Sequence, residues 1–132
     1  MIKKVFALLV FIVCYSNNTF SQQTETITYL GKTLNVPEPL KTNERFFKFE
    51  YNMAEARKAF LAKDYERTVY YVKTAERDGI HSSAFWFYLA ISKLNLGDEG
   101  AGKKYLKIGF VEQGCWECGE AFEKIFGEKL KY

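Results

Sequence analysis

The sequence predicts an all-α domain of stacked antiparallel helix hairpins, preceded by a short extended arm or hairpin. Three observations carry this. From about residue 42 to residue 130, apolar residues recur at helical spacing. Four stop-and-cap pairs, Lys63-Asp64, Asp78-Gly79, Gly97-Asp98 and Gln113-Gly114, cut that stretch into five segments. The two central helix pairs also superpose at an offset of 34 residues, Asp64 onto Asp98.

The chain begins with the pattern of an export signal. Lys3 and Lys4 make a short basic start, residues 5–15 are almost wholly apolar, and Thr19-Phe20-Ser21 places small residues three and one before a cut after Ser21. An apolar run this short does not span a bilayer, which takes about 20 residues. Lipidation of Cys14 is a lesser alternative, because Val13 stands where a small residue is usual. The expected organisation is a signal at 1–21, an arm at 22–41 and a helical domain at 42–132. Export implies a periplasmic or secreted location and an oxidising compartment without ATP.

Composition narrows the function classes. With 48% apolar and 17% aromatic residues the chain can build a core, which excludes general disorder. Removing the signal leaves 17 basic against 16 acidic residues, a balance of +1, which argues against nucleic acid. One His excludes His-rich metal sites, and no Gly-rich phosphate loop is present.

In the arm, β-branched and aromatic residues flank Gly31-Lys32, so residues 27–34 read as a small hairpin that Pro37-Glu38-Pro39 ends. The first helix is capped by Thr42 or Asn43 and runs to about Ala62. Asp64 caps a second over residues 65–77, with Gly79 as its stop. Ser82 or Ser83 caps a third to Leu96. Asp98 caps a fourth over 99–112, and a fifth covers 116–130.

At the 34-residue offset Tyr71, Val72 and Ala75 fall on Tyr105, Leu106 and Gly109, and Ala56, Phe60 and Thr68 fall on Ala90, Leu94 and Gly102. Trp86, Leu89, Ala90, Gly97, Asp98, Gly102, Leu106 and Gly109 resemble the tetratricopeptide repeat pattern of large, small and turn residues. The first copy matches at Ala56, Asp64, Tyr65, Val72 and Ala75 and departs at Asn52 and Ile80. The resemblance covers residues 49–130 and implies an α-α superhelix of two repeats plus a C-terminal capping helix. Lys124, standing where the earlier copies have alanine, suits a polar outer face on that helix. It further implies a concave groove for a peptide or partner helix, lined by Met53, Arg57, Phe60, Phe87, Ile91 and Asn95; the equal alternative is that these residues pack under the N-terminal arm or the capping helix. Met53 and Arg57 stand where carboxylate-clamping members carry Lys and Asn, so no carboxylate clamp is implied.

Other motifs could carry chemistry. Cys115 and Cys118 form a C-x-x-C, read as a local disulfide or two packed thiols. A thiol-redox pair is the alternative, but the βαβ setting of such sites is missing. His81 sits in a turn with Asp78, Ser82 and Ser83, and neighbours in sequence seldom converge as nucleophile and base. Paired carboxylates (Glu76 with Asp78, Asp98 with Glu99, Glu117 with Glu120) lie at helix ends or polar faces rather than in a cleft. That disfavours a cell-wall hydrolase. Lys103, Lys104 and Lys107 read as a solvated face, with Glu99 one turn before Lys103. No cofactor and no metal is expected. The function read from the sequence is non-catalytic binding of a protein or peptide.

Overall fold

A computed structural model describes residues 25–38, 47–76 and 82–132. The predicted signal at 1–21, the cap at Thr42 or Asn43, and the turn holding Asp78, Gly79 and His81 lie outside those residues. Within them the chain is mostly helical, with one small sheet.

The sheet is an antiparallel hairpin of β1 (Thr26–Tyr29) and β2 (Lys32–Asn35), with Tyr29 opposite Lys32 and Ile27 opposite Leu34. Its turn is Leu30-Gly31, at φ 50° and 75°, one residue earlier than the sequence suggested. Two consecutive positive φ values fit the twist of a two-residue hairpin loop, and this register turns Leu34 into the core. The ladder continues past the strands, where Val36 N–H donates to Glu25 O at 2.8 Å.

Among the described residues five helices follow: α1 (Phe47–Leu61), α2 (Tyr65–Glu76), α3 (Ser83–Asn95), α4 (Glu99–Gln113) and α5 (Trp116–Phe126). Side-chain caps start the later ones. Ser82 Oγ accepts from Phe85 N–H at 3.1 Å, and Asp98 Oδ1 accepts from Ala101 N–H at 3.1 Å. The fifth helix stops at Phe126 rather than running to 130. Gly127 takes φ 73° and donates its N–H to Glu123 O, a left-handed stop that ends the ladder.

The repeat seen in the sequence recurs in the hydrogen bonds. Between α1 and α2, Ala62, Lys63 and Asp64 donate to the carbonyls of Lys58, Phe60 and Ala59. Between α3 and α4, Leu96, Gly97 and Asp98 donate to Ser92, Leu94 and Lys93. Each donor and acceptor is displaced by 34 residues, and both turns close as Schellman motifs with the middle residue left-handed.

Helix α3 is the centre of the core. It packs on α2 and α4 and also meets α1 and α5. Phe85, Trp86, Phe87 and Tyr88, which point to all sides of the helix, are each under 9% exposed. A helix apolar all round must be surrounded, and this one is. Small residues allow the approach. A methyl added at Gly109 would lie 2.8 Å from both Trp86 Cβ and Cys118 Sγ.

Candidate binding face

Helices α1 and α3 carry the residues that the sequence assigned to a partner groove, and α5 stands beside α3. The structure seats the chain's own hairpin there. Strand β2 packs on α5. Glu25, just before β1, pairs with Arg57 of α1 at 2.5 Å. Tyr88 of α3 donates its hydroxyl to Pro37 O at 3.4 Å. Asn35 Nδ2 donates to Glu120 Oε1 of α5 at 2.7 Å, and Lys124 Nζ donates to Thr33 O at 2.8 Å. Lys32 Nζ donates to Lys124 O, placing a cation near the carbonyl end of α5. The hairpin is thus tied to three helices, with Leu34 and Val36 buried beneath it.

The predicted groove residues divide. Met53, Phe60, Phe87 and Ile91 are at most 1% exposed and belong to the core. Phe60 packs edge-on to Phe87 at 6.0 Å and lies 4.9 Å from Tyr88. Arg57 is half-buried and engaged with Glu25. Asn95 is exposed, its amide turned back onto Ile91 O at 2.8 Å. In this arrangement the four apolar side chains offer no open surface. A small domain covers such surface with its own chain when it can.

Electrostatics at the junction follow from burial. Tyr88 is deeply buried, and desolvation raises its hydroxyl well above the ordinary tyrosine range; the nearby Arg57 guanidinium opposes this and Glu25 adds to it. Tyr88 is therefore a neutral donor at any physiological pH.

Cys115 and Cys118 lie at disulfide distance and both are fully buried. Cys115 caps α5, its Sγ accepting from Cys118 N–H at 3.1 Å. Among the described residues no group of His, Cys, Asp and Glu is arranged to hold a metal, and no helix is long and apolar enough to cross a membrane. Glu117, in the first turn of α5, is buried enough that desolvation raises its carboxyl above the ordinary range, with Glu120 adding to the effect.

Two sequence expectations are revised here. Lys124 does not form part of a free polar outer face, because it contacts the hairpin. Lys103 is not paired with Glu99; its ammonium lies over the rings of Phe122 and Phe126, 5.8 and 5.2 Å from their centres. The hairpin's attachment residues Glu25, Asn35, Tyr88 and Glu120 were not picked out from the sequence. The one legible hint was Leu34-x-Val36, an alternation asking for a partner face. Compared with known proteins, the chain matches no protein-family model, no curated protein and no solved structure.

Proposed function

We propose that this chain is a non-catalytic protein-binding module of the tetratricopeptide type, acting in the cell envelope or the secreted space. The duplicated turn chemistry at a 34-residue offset supports the repeat reading. The observation that carries the binding role is the seat of the hairpin. An extended segment already lies on α1, α3 and α5, anchored by Glu25–Arg57, Pro37–Tyr88, Asn35–Glu120 and Thr33–Lys124. A partner segment that uses this face has to displace the hairpin and take over those polar anchors. Part-exposed ion pairs are worth about 1 kcal/mol or less and hydrogen bonds to charged groups about 1.5–3, so a partner segment must replace both these anchors and the burial of Leu34 and Val36.

The test is in-cell crosslinking of the tagged, exported protein. Wild type is compared with a Glu25→Ala/Asn35→Ala variant that still melts cooperatively. Because hairpin and partner compete, the loosened variant should capture a specific protein in higher yield. Equal capture by both forms, or none by either, would remove this face as the binding site.

A further inference from the structure

Helix α4 carries three lysines outside its buried stripe of Gly102, Leu106 and Gly109: Lys103, Lys104 and Lys107. None lies within ion-pair distance of a carboxylate among the described residues. Lys103 and Lys107 extend over the α5 rings instead, with Lys107 Nζ 5.5 Å from the Phe122 centre. Beside them lies a shallow, open depression of about 420 Å³ lined by Gly100, Lys103, Lys104, Lys107 and Ile108. Val111 stands one turn beyond Lys107 and is 54% exposed.

We infer that this face of α4 docks an acidic amphipathic helix of a protein partner. The lysines form a row along the helix rather than a ring around a point. Lys103 and Lys107 are spaced by one turn, about 6 Å of rise, which matches carboxylates one turn apart on a second helix. The floor between them is apolar, from Ile108, the bare backbone of Gly100 and the lysine stems, so an apolar side chain of the partner can enter. Packing on Phe122 and Phe126 holds two of the long side chains in place, which lowers the ordering cost of binding. The inference rests on the protein-binding reading but uses a face apart from the hairpin's.

The experiment is fluorescence anisotropy with a fluorescein-labelled Leu/Glu amphipathic helical peptide, against the whole exported chain. A scrambled peptide of the same composition, inorganic phosphate and phosphatidylglycerol vesicles serve as comparison probes. The ordered peptide should bind, weaken with added salt, and lose at least about tenfold in affinity to Lys104→Glu/Lys107→Glu. Lys104→Arg/Lys107→Arg should retain binding. If the double reversal alters the melt, Lys104→Gln replaces it; Lys104 is exposed and stacks on no ring, and a loss of about threefold is expected. Unchanged affinity in the charge variants, equal binding of the scrambled peptide, or binding of phosphate or vesicles alone would each overturn the inference. Because these variants leave the hairpin intact, peptide binding that fails while hairpin-dependent capture persists overturns this site alone. Peptide binding that persists when that capture fails supports it.

Discussion

The two turns at the ends of α1 and α3 make the same hydrogen bonds with different residues. In the second, Gly97 takes φ 89°, a conformation that glycine adopts freely. In the first, Lys63 takes φ 61° in the same place, where a side chain crowds the carbonyl. Asp64 and Asp98 follow and cap the next helix in both, Asp64 Oδ1 accepting from Arg67 N–H at 3.2 Å. The turn geometry is therefore imposed by the two helices it joins and the cap after it. The glycine relieves strain but is not what creates the turn.

That equivalence can be tested first where the copies share a core position. Met53 and Phe87 are related by the 34-residue offset and both are fully buried. Phe87→Ala is expected to lose about 3–5 kcal/mol and Met53→Ala about 2–5, measured by urea unfolding. A change under about 0.5 kcal/mol at either would return that residue to the surface and contradict its burial.

Ala75 and Gly109 also correspond, but only the first tolerates a methyl. Gly109→Ala is expected to cost about 1–3 kcal/mol through the clash with Trp86 and Cys118, seen as a lowered melting temperature. A neutral result would mean that α4 and α5 can separate slightly without loss.

At the turns the signs should be opposite. Lys63→Gly relieves the left-handed strain and is expected to raise stability by up to about 1 kcal/mol. Gly97→Ala is expected to lower it by a similar amount. Equal effects of one sign would show that the two turns are not equivalent.

The smallest effect concerns the last unit, where Glu117 stands at the offset position of Ser83. Burial raises the Glu117 carboxyl in the fold, so the folded chain holds that proton more tightly than the unfolded chain. Stability from this group is present at low pH and is lost as pH rises from the ordinary carboxylate range through the raised value. Glu117→Gln should therefore melt slightly higher than wild type at neutral pH, and the gap should close in acid. A gap independent of pH would assign the effect to packing instead.

Much of the fold was legible because its signals are local. Asp64, Ser82 and Asp98 are caps whose bonding partners lie three residues on, and Gly97 and Gly114 are stops acting on the turn just before them. The hairpin's existence was also readable, though its turn fell one residue earlier. Phe85-Trp86-Phe87-Tyr88 was the hardest passage. Helical geometry says that four consecutive side chains face all directions, but not what meets them.

The sequence alone determined the caps at Asp64, Ser82 and Asp98, the stops at Gly97 and Gly114, the 34-residue repeat, and the closeness of Cys115 and Cys118 across one turn. These rest on hydrogen bonds and spacings spanning a few residues. Only the tertiary structure decided that the hairpin lies on α1, α3 and α5, that the expected groove side chains are core, and that Lys103 meets rings instead of Glu99. Those outcomes depend on contacts across the fold, such as the 85 residues between Asn35 and Glu120. There, competition for apolar surface among whole elements outweighs any local preference.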